Sequence, residues 1–337
     1  MTRAAVRAMD TLQDFLGNTK PGTQYAINDF VITGASKRGW TTWLSAAADE
    51  RVSAIMPIVI DVLNMDEQMQ HHFAAYGFFS DAIQDYVEEN VFERLGTSEG
   101  GALLNIVDPY EYRDRLTMPK YIANSTGDQF FLPDSSQFYF HDLPGENWLH
   151  YAPNTDHGLA NSNSLDLDQG TFSGLLTFYT SHVRGLERPT FTWELLEDNV
   201  LAVESETEPL AVYLWQANNP VARDFRLETI GEAWSSTRLR VECPCLEEGE
   251  WTPEGEWAPE GEWTPEGEGE GEGGFECPCE LDVYRYAGEV EQSSGWTAFY
   301  IQMVYPGPDT VFEDSAYYFS TQVYVIPDRY PLFGEPM

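Results

Sequence analysis

Cysteine is missing from all but one short stretch of this chain, since all four lie in Cys243-Pro244-Cys245 and Cys277-Pro278-Cys279. The rest can build neither a disulfide framework nor a thiolate metal centre, and an even, clustered set fits an oxidising compartment. Cations are scarce as well: 18 Lys and Arg stand against 56 Asp and Glu, a formal net charge of -38. Glu242 to Glu280 holds 14 glutamates and no Lys, Arg or Asp, and taking those 14 from -38 still leaves -24. That balance argues against binding nucleic acid or an anionic membrane, which needs basic surface. No apolar run reaches the roughly 18 residues of a membrane span. Met1-Thr2-Arg3-Ala4-Ala5-Val6-Arg7-Ala8-Met9 lacks the build of a signal peptide, so the sequence as written shows no export signal.

What is present suffices for a sizeable core: 337 residues, 42% hydrophobic and 14% aromatic, read as two domains. The chain is organised around Phe30-Val31-Ile32-Thr33-Gly34-Ala35-Ser36-Lys37-Arg38-Gly39-Trp40. A β-branched and aromatic run stops at Gly34, a serine follows two residues later, and helix formers run on to Ala48. That pattern is strand, sharp turn, helix, and it lifts the Ser36 hydroxyl out of the sheet in front of a helix N-terminus, as a nucleophile requires. Gly34 and Gly39 are small because a larger side chain would strike the neighbouring strand or helix. The match to G-x-S-x-G is imperfect, with Arg38 at the last glycine position and Gly39 one place later.

Thr2 to Leu16 reads as an amphipathic helix ended by Gly17, and Asp29 to Thr33 as the strand before the serine. In an α/β-hydrolase several strands precede the nucleophile. Their lack here leads us to expect a fragment of a longer protein, with an open apolar edge at the first strand and poor solubility. Val52 to Asp61 has the near-continuous apolar character of a buried parallel strand. Asn64 to Met118 is helical and aromatic, the makings of a cap over the site, and its His71-His72 pair reads as a polar helix face because no carboxylate or Cys stands at ligand spacing. Strands at Pro119 to Ser125 and Trp148 to Pro153 each run into a loop, the first with Asp128 and the second with His157. Asp134 reads as a helix cap at Leu132-Pro133-Asp134-Ser135-Ser136, and the last helix of the unit as about Asp166 to Arg184.

Serine, acid and histidine in that order, each after a strand, follow the α/β-hydrolase plan, which builds its site at strand C-terminal ends. His157 would take the Ser36 proton, Asp128 would orient the imidazole, and the Lys37 backbone N–H would face the oxyanion. Asp61 also ends a strand and competes with Asp128 for the acid role. Ile32 to Trp43, Pro57 to Asn64, Asp108-Pro109-Tyr110 and Asn124 to Asp134 resemble the PhoPQ-activated pathogenicity-related protein family, closely over about residues 1–187 and more loosely beyond. The resemblance implies a secreted or periplasmic α/β-hydrolase-like protein, with Ser36, Asp128 and His157 on its hydrolase motif positions. The G-x-S-x-x-G spacing is also similar to that of glucuronoyl esterases, in which the acid follows either of two strands, and this keeps Asp61 open.

After Pro189 come short aromatic and β-branched runs, Phe191 to Leu195, Val200 to Glu204, Leu210 to Gln216, Phe225 to Glu228, Trp296 to Tyr305 and Thr321 to Ile326. They read as an antiparallel, immunoglobulin-like β-sandwich over 188–337. Within it, 242–280 carries the repeat Glu-Gly-Glu-Trp-(Thr/Ala)-Pro, too polar for a core and too rich in Gly, Pro and like charge for a helix, hence a disordered, solvated loop. The cysteine pairs bracket it, which suits a disulfide clamp ahead of a Zn²⁺ site. The expected protein is thus an α/β-hydrolase part over 1–187, cap at about 64–118, followed by the sandwich. Its expected activity is serine-dependent hydrolysis of an ester or amide, with no cofactor. The rival is a non-catalytic secreted binding protein of hydrolase shape that meets a protein partner through the sandwich.

Overall fold

The computed structural model of the chain describes residues 1–19, 27–160, 169–243, 281–308 and 315–331. Helix α1 (Thr2–Thr19) leads to β1 (Phe30–Ala35), α2 (Lys37–Ala48) and β2 (Val52–Ile58). The excursion before the next strand holds α3 (Met65–Tyr76), α4 (Gln84–Glu88), α5 (Val91–Leu95) and α6 (Ser98–Val107). Then come β3 (Lys120–Ser125), β4 (Asn147–Ala152) and α7 (Gln169–Arg184). Strands β1 to β4 lie side by side in chain order and all parallel, with Gly34 opposite Pro57, Ile58 opposite Ala123, and Ser125 opposite Ala152. Parallel neighbours need crossovers, and one side of the sheet is accordingly covered by α2 and the other by α7.

The C-terminal strands are β5 (Phe191–Leu195), β6 (Val200–Ser205), β7 (Ala211–Asn219), β8 (Ser235–Arg238), β9 (Tyr284–Glu289), β10 (Trp296–Pro306), β11 (Ala316–Ser320) and β12 (Tyr324–Ile326), with a one-turn helix α8 (Leu227–Ile230) between β7 and β8. They pair antiparallel and form two layers, as the sequence pattern leads one to expect. One layer, β5-β6-β9, is a sheet of its own. The other differs from the separate sandwich sheet anticipated. Strand β11 pairs with β4, Ser320 opposite Leu149, so the larger layer runs on from the parallel strands as β4-β11-β10-β7-β8, with β12 on β10. The physical reason is the far edge of β4, whose unpaired N–H and C=O groups are met by β11.

Side chains alternate across this shared sheet. Ile55, Ile122, Ala298 and Tyr300 face a core with Trp43 of α2, while Ala54, Met56, Tyr121, Phe299 and Ile301 face the opposite core with Phe178 of α7 and with Leu201 and Val203 of β6. One face of a single sheet therefore serves both halves of the chain.

Two local expectations are corrected. His71 and His72 do not form a polar helix face, since both are fully buried. His71 bonds the Asp134 carboxylate and the Tyr330 hydroxyl, and His72 accepts the Ser80 N–H. Asp134 does stand at the N-cap position before the short turn Ser135–Phe138, but its side chain makes no cap bond; the carboxylate is held by His71 and by the Arg223 guanidinium, because a buried carboxylate needs charged partners more than a short turn needs a cap. The acidic repeat and Cys245, Cys277 and Cys279 lie outside the described residues, while Cys243, at their margin, is disulfide-bonded.

Candidate active site

The site assembles at the C-terminal ends of β1, β3 and β4. Ser36 stands between β1 and α2 with φ 55° and ψ -127°, a left-handed backbone that a non-glycine residue adopts only under strain. Its N–H donates to Ile58 O at 2.8 Å, which pins the turn to β2. The glycines make the turn possible. A Cβ on Gly34 would lie 2.8 Å from Arg38 backbone atoms, and one on Gly39 would overlap the Ile60 side chain and sit 2.9 Å from Gly34 O. The Ser36 hydroxyl makes no cap hydrogen bond to its own helix. It meets His157 Nε2 at 2.8 Å instead.

On its other side the imidazole is held by Asp128, with Nδ1 at 2.8 Å from Oδ2 and 3.0 Å from Oδ1. Asp128 sits in the turn after β3, its side chain 3% exposed against 18% for His157. Burial pushes the Asp128 carboxyl up, against the pull of His157 and of the Phe130 N–H, which donates at 2.7 Å. The histidine loop is fixed through its backbone, the His157 N–H donating to Gln129 Oε1 at 3.0 Å. The Phe130 ring lies 4.2 Å from the imidazole, centroid to centroid, and screens the relay from one side. Lys37 is the first residue of α2, so its N–H has no partner within the helix and, with the helix dipole behind it, suits a developing anion.

Ser36, Asp128 and His157 are thus in one hydrogen-bonded line. Asp61 is not in it. Its carboxylate takes both Asn124 Nδ2 bonds, at 3.1 and 2.9 Å, and a bond from the Tyr139 hydroxyl. Burial pushes it up to about 7, with Asp128 and Asp134 adding to the effect. Sequence reasoning passed over Gln129 and Phe130, although both follow directly on Asp128, the place from which side chains reach a histidine docked on that carboxylate. Among the described residues no group of three or more His, Cys, Asp or Glu is disposed to hold a metal ion.

Parallel strands with a strained serine turn between the first strand and its helix, followed in the chain by an acid and a histidine, define an α/β-hydrolase-like protein. The chain belongs to the PhoPQ-activated pathogenicity-related protein family, whose sequence model matches residues 1–226, past the end of the parallel strands and through β7 to the residue before α8. It is 34% identical over 347 aligned positions to autocrine proliferation repressor protein A of Dictyostelium discoideum, an alignment that takes in 99% of this chain and 62% of that protein. The chain therefore spans less than two thirds of that relative's length. Among solved structures it is similar to an acetyl xylan esterase from Paenibacillus sp. R4, with TM-score 0.41, 13% identity, and 53% of this chain and 51% of the other covered. It is also similar to an acylaminoacyl peptidase of Pyrococcus horikoshii, with TM-score 0.41, 15% identity, and 56% and 28% covered.

Proposed function

We propose that this protein is a serine hydrolase that cleaves an ester or amide through an acyl-enzyme. The observation that carries it is the unbroken line from Ser36 Oγ through His157 to Asp128, with 2.8 Å at each of its two joints, on a serine whose backbone is strained outward. The chemistry follows from those contacts. His157 Nε2 takes the hydroxyl proton as Ser36 Oγ bonds to the substrate carbonyl carbon, and the carbonyl electrons move to oxygen, beside the Lys37 N–H. Asp128 holds the imidazole in the tautomer that leaves Nε2 free to accept, and it stabilises the imidazolium formed. Collapse expels the alcohol or amine, which leaves with the proton from Nε2. A water molecule then repeats the sequence on the acyl-serine, giving the acid and restoring Ser36.

The test is covalent labelling with a fluorophosphonate, together with turnover of p-nitrophenyl acetate. Wild type should label and turn over, and Ser36→Ala and His157→Ala should each lose roughly 10⁴-fold or more. Labelling that persists in Ser36→Ala would overturn the proposal. A second reading, a secreted binding protein of hydrolase shape, is favoured by the name of the Dictyostelium relative, an autocrine repressor, and its partner surface would be the C-terminal β layers. A folded wild type that neither labels nor turns over ester would favour it. Export belongs to both readings and is supported by the disulfide at Cys243, a bond that persists in oxidising compartments.

A further inference from the structure

The connection between β7 and β8, residues 220–234, reaches out of the C-terminal strands and under the two loops that carry Asp128 and His157. Two sets of contacts join it to those loops, and a third joins the loops to each other. The Leu227 N–H donates to Gly127 O at 3.0 Å, next to the acid. The carboxamide of Asn154, in the histidine loop, pairs with both backbone groups of Trp234: Nδ2 donates to Trp234 O at 2.8 Å and Oδ1 accepts the Trp234 N–H at 2.9 Å. The Asn154 N–H donates in turn to Thr126 Oγ1 at 3.0 Å, which ties the two loops to each other. Trp234 itself is anchored, 4% exposed and 5.5 Å from the Tyr300 ring of β10. Gly127 fits because a Cβ there would lie 2.7 Å from Thr155 O and 2.8 Å from Leu227 N.

A loop that merely had to close a strand-to-helix gap would need none of this. Asn154 has φ 55°, in the left-handed region that asparagine tolerates better than most residues, and its side chain is spent on a strand connection about 80 residues away. From these contacts we infer that Asn154 is a positioning residue for His157, and that the 220–234 connection is the fixed base against which the acid and histidine loops are set. The inference rests on the triad proposed above. It makes the C-terminal β region part of the hydrolytic apparatus, although it supplies no group to the reacting atoms. Positioning matters at this scale because displacing a catalytic group by about 1 Å costs up to roughly 100-fold in rate.

Asn154→Gly tests it, since glycine adopts φ 55° without strain while removing both bonds to Trp234. Two readouts are compared with wild type in the full chain. One is the fluorophosphonate labelling rate per folded molecule, expected to fall about 10- to 100-fold. The other is the downfield imidazole N–H proton resonance of His157 on Asp128, assigned by its loss in His157→Ala and expected to broaden or vanish in Asn154→Gly. A purely structural role would lower the melting temperature and move neither. Should Asn154→Gly not fold, Asn154→Asp keeps the Oδ1 that accepts the Trp234 N–H but loses the Nδ2 bond to Trp234 O, and should shift both readouts in the same direction by less. Wild-type rate and an unchanged resonance in a folded variant would overturn the inference. Labelling that survives Ser36→Ala would instead overturn the hydrolase proposal, and the proton resonance would then decide the positioning role alone.

Discussion

His157 meets Asp128 at 2.8 Å and His71 meets Asp134 at 2.8 Å, and each imidazole has a hydroxyl on its other nitrogen, Ser36 at 2.8 Å and Tyr330 at 2.9 Å. By hydrogen-bond length the two groupings are near twins, although Asp128 holds His157 through Nδ1 and Asp134 holds His71 through Nε2. They part in everything around the bonds. The His71 side chain is 0% exposed, whereas that of His157 is 18% exposed. Ser36 is set on a strained turn with its hydroxyl turned outward from its helix, while Tyr330 lies in the core under the Arg223 guanidinium, 4.8 Å from its ring. The carboxylates differ too. Burial pushes both up, but Arg223 and His71 overcome this at Asp134 and hold it well below the usual range, whereas Asp128, with His157 as its counter-group, stays raised. A carboxylate–histidine–hydroxyl line is therefore common structural currency, and access plus a strained nucleophile turns one of the two into a candidate site.

The sharpest way to break this comparison is to make the same substitution in both places. Asp128→Asn should reduce p-nitrophenyl acetate turnover by about 10⁴-fold through the wrong imidazole tautomer, with little loss of fold. Asp134→Asn should leave turnover per folded molecule near wild type, but cost about 3–5 kcal/mol in denaturant unfolding because Arg223 would be buried without its partner. Equal losses of turnover would show the two lines to be one working network.

The third carboxylate between them, Asp61, sharpens the picture through pH. Its native value of about 7 lies above the value of about 3.9 expected unfolded, so between these the native state holds a proton that the unfolded state has lost. Its contribution to stability is therefore full below about pH 4 and declines as pH rises through 7. In Asp61→Asn that decline is absent. Measured against wild type by urea unfolding, the variant should gain stability steadily from about pH 4 to 7, on the order of 4 kcal/mol in total, and level off above. A difference that stays flat across this window would show that Asp61 is ionised in the native state.

Smaller effects probe what each line has that the other lacks. Gly39→Ala forces the Ile60 side chain aside at the serine turn and should cost about 1–3 kcal/mol while depressing labelling of Ser36. Tyr330→Phe removes the hydroxyl on His71 and should cost about 1 kcal/mol with no change in labelling. A loss of labelling in Tyr330→Phe would mean the buried line reports to the site.

The serine turn was legible in the sequence because it is local: Gly34, Ser36 and Gly39 carry their geometric reason within six residues. The order of serine, acid and histidine was legible too, since each follows an apolar run that ends in turn residues. The competition between Asp128 and Asp61 was not decided there, because both end strands, and which one faces His157 depends on how the loops after β3 and β4 are set. Asp134 read as a cap because its neighbours look like a helix start, while the partner that claims it, Arg223, comes 89 positions later. The joining of β11 to β4 was equally hidden. Alternation says which face of a strand is buried but not which edge it meets, and that choice falls to whatever backbone groups are left unpaired when the sheet closes. What the sequence by itself determined was the local chemistry of the serine turn and the strand-by-strand order of its companions. Only the tertiary structure decided which carboxylate meets the histidine and which edge the C-terminal strands pair with, because those depend on contacts between residues far apart in the chain.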